Sequence, residues 1–216
     1  MNTKTKVAII GLGNIGGAIA TNLVRGNHPV VVASRDLSQA NDFASELGSL
    51  ATPAEISTAI LFADVIIPAI YFNDLKLFLT EYATELKGKT IVDVSNPIAP
   101  DGNGGFKKII DQNVSAGQVL QALVPKDASF VKAFGTLGAA SLRGEAFALP
   151  QEKMLFYASD STTSTPQIEE LIRASGFAPL HIGGIDQSIR IEVFGDLHQF
   201  GALGKTVTLE EAKSKL

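Results

Sequence analysis

Short apolar runs rich in β-branched residues alternate with amphipathic stretches along most of the chain. Such runs are typical of strands buried on both faces of a parallel sheet, and the stretches between them are typical of crossover helices. The predicted strands are Val7–Ile10, Val30–Ala33, Val65–Ile70, Thr90–Val94 and Phe130–Phe134. The predicted helices are 15–25, 37–47, 53–62 and 72–86, with Asp36 and Thr52 as N-caps. The pattern predicts an α/β fold with a doubly wound parallel sheet, which binds ligands beyond the carboxyl ends of its strands.

The same alternation continues on a smaller scale after residue 150. Strands are predicted at 154–158 and 179–182, and a helix is predicted at 166–174 between them. Apolar residues then recur at helical spacing over 185–203, which predicts a longer helix near the end of the chain. We therefore expect residues 1–150 to form the main domain and residues 151–216 to form a small C-terminal α/β lobe that completes a cleft.

Composition narrows the classes of function. The net charge of −4, with no cluster of Lys or Arg, argues against nucleic acid as a partner. The chain has no cysteine, which excludes disulfides, thiolate-bound metals and thiol redox catalysis. No apolar run reaches the roughly 18 residues that span a bilayer, so no membrane segment is expected. Lys4 and Lys6 precede an apolar stretch, but a strand, turn and helix explain that stretch better than a signal peptide, so a cytoplasmic location is expected.

A glycine-rich turn follows the first predicted strand and opens the first predicted helix. It is the segment Gly11-Leu12-Gly13-Asn14-Ile15-Gly16. In this context Gly11 allows the tight turn, Gly13 lets the backbone approach a pyrophosphate, and Gly16 lets helix and strand pack closely. The alternative is a purely structural turn in an unrelated α/β protein. We interpret the turn as a dinucleotide site, which makes residues 1–150 a Rossmann-type domain.

The end of the second strand indicates which nicotinamide cofactor is bound. NAD sites usually place an acidic residue there for the ribose hydroxyls, whereas this chain has Ser34 and Arg35. Arg35 can pair with a 2′-phosphate, and Ser34 can donate a hydrogen bond to the same group. In the alternative reading Arg35 is a solvated loop cation and Asp36 binds the ribose. We favour NADP(H), because Asp36 is better explained as the cap of the next helix.

Further loops at the same edge of the sheet are expected to line the nicotinamide and the second substrate. Simple packing explains Tyr71 equally well, Asn96-Pro97 is also a turn signal, and Phe134 is equally explained as a core residue. The expected cofactor contacts in these loops are Ala69, Ile70, Tyr71, Asn96, Pro97 and Ala133. The expected substrate contacts are Phe134, Gly135, Thr136 and His198.

Little acid–base machinery is visible. None of the three tyrosines has a lysine four residues later, and the three histidines lack the spacing of metal ligands. His198, on the predicted C-terminal helix, could face the cleft, but we favour a partly exposed structural role for it and expect no catalytic one. The sequence therefore favours a hydride acceptor that needs little proton transfer, such as a flavin or deazaflavin.

Several segments together resemble the NADPH-dependent reductases of the deazaflavin coenzyme F-420. They are 7–16, Ser34-Arg35, Asp93-Val94-Ser95-Asn96-Pro97, Val131-Lys132-Ala133-Phe134 and 200–204. The resemblance implies a Rossmann domain with NADP(H), a deazaflavin in the cleft, direct hydride transfer and a homodimer. Many relatives carry Asn where this chain has Gly135. A non-catalytic NADP(H) sensor that acts through a protein partner is the competing hypothesis.

Overall fold

The computed structural model of the protein describes residues 4–215. Its strands are β1 (Val7–Ile10), β2 (Val30–Ala33), β3 (Ala51–Ala54), β4 (Val65–Pro68), β5 (Thr90–Asp93), β6 (Ile98–Pro100), β7 (Phe106–Lys108), β8 (Ser129–Lys132), β9 (Met154–Ser159) and β10 (Ala178–His181). Its α-helices are α1 (Asn14–Arg25), α2 (Leu37–Leu47), α3 (Ile56–Phe62), α4 (Phe72–Glu81), α5 (Ala116–Gln121), α6 (Ala139–Gly144), α7 (Thr165–Ala174) and α8 (Leu209–Lys213).

Eight of the strands form one sheet in the order β10-β9-β8-β5-β4-β1-β2-β3. All neighbouring pairs are parallel except β8 and β9, which are antiparallel. The chain moves outward from β1 through β2 to β3 and then returns to the other side of β1 at β4, so the strand order reverses beside β1. This reversal creates the crevice where doubly wound sheets bind ligands. The predicted Rossmann-type α/β fold is confirmed.

The apolar runs form the centre of the sheet because their side chains are buried on both faces. Every residue of β1, β2, β4 and β5 is buried. The helices cover these two faces and create two hydrophobic clusters, one on each side of the sheet. Within residues 4–215 no helix has both the length and the apolar character needed to cross a membrane.

The region after residue 150 adds to the same sheet. Strands β9 and β10 extend it beyond β8, with α7 between them. The proposed division of the chain at residue 150 stays a prediction, and its outer ends, residues 1–3 and 216, lie outside the described residues.

The predicted helix over 185–203 is wrong. A 3-10 helix covers Ile185–Ile191, and turns follow it. Phe194 has a φ of +75°, which an α-helix cannot contain. The backbone also folds tightly on itself, since a Cβ on Gly201 would lie 1.8 Å from the carbonyl oxygen of Gly195. The apolar residues at helical spacing therefore belong to the 3-10 helix and to the turns that follow it.

The spacing of apolar residues in the sequence does not predict several short elements. Strand β3, the hairpin of β6 and β7, and helices α5 and α6 are not predicted. Thr52 lies in β3, and α3 begins at Ile56 with Glu55 at its N-cap, so the prediction that Thr52 caps this helix is wrong. The cause is a long-range contact, because residues 51–54 pair with β2 in the sheet instead of opening the helix.

Candidate functional site

The glycine-rich turn between β1 and α1 has the geometry of a phosphate-binding loop. Gly11 has a φ of +92°, and a Cβ there would lie 2.7 Å from the carbonyl oxygen of Ala69. A Cβ on Gly16 would lie 1.9 Å from the oxygen of Gly11, so the helix passes directly over the turn. Gly13 differs from both, because no heavy atom lies within 4 Å of its Cβ position. The turn is thus closed on its inner side and open at Gly13.

Helix α1 points its N-terminus into this opening. Its N-cap is Gly13, which has no side chain to accept from the first N–H groups, and its first turn contains no acidic residue. Asn14 is exposed, and Leu12 and Ile15 are half-buried. Unpaired N–H groups and the helix dipole favour an anion at this position.

The end of β2 places Arg35 in solvent beside this loop. Arg35 makes no ion pair within residues 4–215. The hydroxyl of Ser34 donates to the carbonyl oxygen of Asp36 at 2.7 Å and accepts from its N–H at 3.1 Å, so it closes a turn rather than pointing outward. The Asp36 side chain accepts from the N–H of Ser38 at 2.9 Å. Asp36 is therefore the N-cap of α2, as predicted.

We expect Asp36→Ala to lower the free energy of unfolding by about 1 kcal/mol, because the first turn of α2 loses its acceptor. Asp36→Asn retains an acceptor oxygen and should stay close to the unchanged protein. Urea denaturation of both variants measures the difference. A variant Asp36→Asn that keeps its stability and loses affinity for NADH would instead favour the ribose-binding reading of Asp36.

A cavity of about 300 Å³ lies between Leu12 and helix α2. Its wall carries the carboxylates of Asp36, Asp42 and Glu46. Three carboxylates disfavour a phosphate inside this cavity. A negatively charged group beside the glycine-rich turn is therefore better placed on the side of Arg35.

The loop after β4 completes the floor of the glycine-rich turn. The Ala69 N–H donates to the carbonyl oxygen of Ile10 at 2.7 Å, and Ile70 packs close to Gly11. Tyr71 behaves differently, since it is 83% exposed at the N-cap of α4. Ala69 and Ile70 thus shape the turn, and the ring of Tyr71 stands free at the rim.

Asn96 joins three segments of the chain just beyond the end of β5. Its Nδ2 donates to the carbonyl oxygen of Gly135 at 3.0 Å, and its Oδ1 accepts from the N–H of Val193 at 2.7 Å. Pro97 is buried, and its carbonyl oxygen accepts from Ile109 at 2.9 Å. Both groups of the Asn96 side chain are therefore used to hold the loops together.

A buried ion pair supports this loop from below. Lys132 Nζ lies 2.6 Å from Asp93 Oδ2, and the two side chains are 1% and 0% exposed. Asp93 also accepts from the N–H of Ser95 at 2.7 Å, and Lys132 donates to the carbonyl oxygen of Ser95. The pair thus holds both backbone groups of Ser95. This pair is not predicted from the sequence, although a Lys and an Asp at the ends of two apolar runs are a usable signal for it.

The loop after β8 is more deeply buried than expected. Ala133, Phe134 and Thr136 are at most 1% exposed, and Phe134 belongs to the hydrophobic core. The ring of Phe134 is therefore placed as a core residue and not as a substrate contact. A Cβ on Gly135 would lie 2.8 Å from the carbonyl oxygen of Val94. This contact explains physically why the position suits glycine in this chain, whereas an asparagine would require the loop to shift.

His198 lies beneath Gly135 and is only 1% exposed, so the predicted partial exposure is wrong. Its buried position fits the structural role that is favoured from the sequence, and a contact with substrate stays a prediction. Its Nδ1 accepts from the N–H of Phe200 at 2.9 Å, which leaves the proton on Nε2. Nε2 then donates to the carbonyl oxygen of Gly135 at 2.9 Å. Burial above all lowers the pKa of His198, the hydrogen bond to Gly135 opposes it, and nearby Lys132 lowers and Glu192 raises it; the resulting pKa is about 4. The imidazole is neutral near pH 7 and has no free proton donor.

Two hydroxyls in this region have unused hydrogen-bonding capacity. Ser95 Oγ and Thr136 Oγ1 are buried without a hydrogen-bond partner in the part of the chain that the structure describes. Buried polar groups are normally satisfied, so a water or a polar ligand group is expected near them. No cluster of three or more potential metal ligands occurs within residues 4–215.

The fold and the glycine-rich turn define a dinucleotide-binding protein of the Rossmann class. Residues 6–97 match the family described as NADP oxidoreductase, coenzyme F420-dependent. The match agrees with the resemblance predicted from the sequence, and it covers the dinucleotide-binding part, less than half of the chain.

Individual relatives are similar to most of the chain. The metalloreductase STEAP3 of Rattus norvegicus is 30% identical over 189 residues, which cover 87% of this chain and 36% of the relative. The chain thus spans about a third of the length of this curated relative. The solved structure of the hypothetical protein SMa0349 from Sinorhizobium meliloti is 29% identical, with a TM-score of 0.81 over 94% of this chain and 95% of that chain.

A second solved structure supports the fold. It belongs to a proposed F420-dependent NADP reductase from Arthrobacter sp. FB24 and is 20% identical to this chain. The TM-score is 0.72, and the alignment covers 86% of this chain and 87% of that chain.

Proposed function

We propose that the protein is an NADP(H)-dependent oxidoreductase that transfers hydride between the nicotinamide and a deazaflavin (F-420) or flavin-like acceptor. The observation that carries the proposal is the glycine-rich turn, which is closed at Gly11 and Gly16 and open at Gly13 before an uncapped helix N-terminus. The proposal includes a homodimer. The cytoplasmic location stays a prediction from the sequence.

The residues of the site fit the parts of NADP(H). The N–H groups at the start of α1 would receive the pyrophosphate, and Arg35 would pair with the 2′-phosphate. The unpartnered hydroxyls of Ser95 and Thr136 would suit a polar group such as the carboxamide. The cofactor supplies the hydride, and the protein's part is to fix its position at the ends of β5 and β8.

The choice of acceptor rests on the state of the ionisable side chains there. His198 is neutral with both ring nitrogens bonded, and Lys132 is buried in its pair with Asp93. Reduction of a carbonyl or an imine usually needs a proton donor at the reacting atom. A flat ring that accepts hydride directly fits this inventory better.

The test is the oxidation of NADPH, followed at 340 nm, with F-420, FMN, FAD and a ferric chelate as separate acceptors. We expect turnover with F-420 or a flavin. Turnover with the ferric chelate alone would place the protein with metalloreductases and contradict the choice of acceptor. Tight NADPH binding without turnover in any arm would favour the sensor hypothesis.

For cofactor choice, we expect Arg35→Glu to weaken NADPH binding roughly 100-fold and to change NADH binding little. The substitution replaces an attraction to the 2′-phosphate by a repulsion. It changes the charge by two units, and about 1 kcal/mol or more for each unit corresponds to the expected loss of affinity. Fluorescence titration of both cofactors measures the effect. Arg173→Glu is the matched control, since it changes the charge equally at an exposed arginine of α7. Equal losses for NADPH and NADH would contradict the assignment.

A further inference from the structure

The segment of residues 192–201, here called the C-terminal turn, is fixed against the loops after β5 and β8. Its Val193 N–H donates to Asn96 Oδ1 at 2.7 Å, and its Gln199 N–H donates to the carbonyl oxygen of Thr136 at 3.1 Å. Gln199 Oε1 also accepts from the N–H of Gly138 at 2.9 Å. The C-terminal turn therefore lies against two loops that are expected to line the nicotinamide and the second substrate.

A buried carboxylate anchors the start of the C-terminal turn. Glu192 is 1% exposed and accepts from the N–H groups of Ala116 and Gly117, each at 3.0 Å, and from the hydroxyl of Ser115 at 2.9 Å. All these donors belong to the start of α5. Since both ends of the turn are bonded to other elements, its backbone is held in one position.

This rigid turn presents two aromatic rings to solvent. Phe194 is 49% exposed and Phe200 is 59% exposed. Phe194 also has a φ of +75°, an unfavourable conformation for a phenylalanine, and such residues concentrate at ligand-binding positions. The ring of Phe200 lies over Gly138, where an added Cβ would come within 2.9 Å of it. Neither ring gains the full burial that normally stabilises an aromatic side chain.

The charged groups near the rings are already neutralised within the chain. Glu192 is bonded to the start of α5, and Arg190 pairs with Asp196 at 2.8 Å. His198, whose ring centroid lies 5.7 Å from that of Phe200, is neutral and donates to Gly135. An apolar, aromatic surface remains, which suits the face of a flat ring better than a small polar substrate.

We infer that Phe194 and Phe200 form the aromatic wall on which the ring of the hydride acceptor stacks, with the nicotinamide on the acceptor's other face. The inference rests on the proposed function and identifies the side chains that position its flat acceptor ring. Hydride transfer requires the two rings to lie within about 3–3.5 Å, and a fixed wall behind the acceptor holds it at that distance.

The test compares Phe194→Ala and Phe200→Ala with the unchanged full-length protein, using NADPH with F-420 and with FMN. We expect the KM of the acceptor to rise at least tenfold in each variant, while the Kd of NADPH stays within twofold. Tyrosine at either position should keep the acceptor KM within about threefold, whereas leucine, which is apolar without a ring, should behave like alanine. Phe62→Ala is the matched control, because Phe62 is 53% exposed at the end of α3 and lies beside the amino ends of β1 and β2, away from the C-terminal turn.

The outcomes separate this inference from the proposed function. If the unchanged protein turns over and both alanine variants keep its acceptor KM, the aromatic wall is refuted. If the unchanged protein shows no turnover, the proposed function fails. Equilibrium dialysis with F-420 and FMN then tests the aromatic wall by itself. Weaker binding by the alanine variants supports the aromatic wall, and equal or absent binding overturns it. Conversion of a dimer to a monomer by these variants in sedimentation, with unchanged acceptor binding, would assign the rings to an interface between copies of the chain and overturn the inference.

Discussion

Lys132→Met is expected to lower the free energy of unfolding by about 3–5 kcal/mol, because it leaves the Asp93 carboxylate buried without its partner. The Ser95 carbonyl oxygen also loses its donor. Urea denaturation measures the change. We also expect catalytic activity to fall, since Ser95 directly precedes Asn96. The Asn96 side chain joins the loops after β5 and β8 to the C-terminal turn.

Two further variants show whether the buried charge is the cause. Lys126→Met removes an exposed lysine and should change the stability by less than about 0.5 kcal/mol. The double variant Lys132→Met with Asp93→Leu should recover part of the loss, because no unpaired charge stays in the core. A Lys132→Met protein within 1 kcal/mol of the unchanged protein would contradict the buried pair.

The protein should lose stability as the pH falls from 6.5 towards 4, and His198 should account for about 3 kcal/mol of that loss. Burial lowers the pKa of His198 in the folded protein from 6.5 to about 4. Between these values the unfolded chain binds a proton that the folded protein does not bind, so unfolding becomes more favourable as the pH falls. Above pH 6.5 both states are neutral, and this contribution to stability is fully present.

His198→Gln isolates this contribution, because glutamine can still donate to Gly135 and accept from Phe200 but does not titrate. The free energy of unfolding should fall by about 3 kcal/mol less in this variant than in the unchanged protein between pH 7 and pH 4. His181→Gln replaces an exposed histidine and serves as the control. Parallel pH profiles for the unchanged protein and His198→Gln would show that His198 titrates normally.

The parts of the fold that could be predicted are those encoded by neighbouring residues. The apolar runs predicted the central strands, and the spacing of Gly11, Gly13 and Gly16 predicted the turn between β1 and α1. Asp36 was recognised as a cap for the same reason, since it bonds to Ser38 only two residues away. In each of these cases, the residues that determine the element lie within the element or only a few residues from it.

The contacts that complete the site could not be predicted because they join distant parts of the chain. Asn96 and Val193 are 97 residues apart, and His198 and Gly135 are 63 residues apart. Nothing in the sequence around His198 shows that its ring is buried, and the apolar spacing around it indicated a helix that does not form. The positions of these side chains are fixed by the packing of the C-terminal turn against the sheet.

The two outer strands of the sheet each contain a proline, Pro53 in β3 and Pro179 in β10. Proline has no N–H group, so each outer strand lacks one of the donors that another strand would need in order to pair with it. Both edges are thereby protected against extension of the sheet from one molecule to the next. We expect a homodimer of this protein to associate through its helices and loops, and a continuous sheet through two copies to be absent even at high concentration.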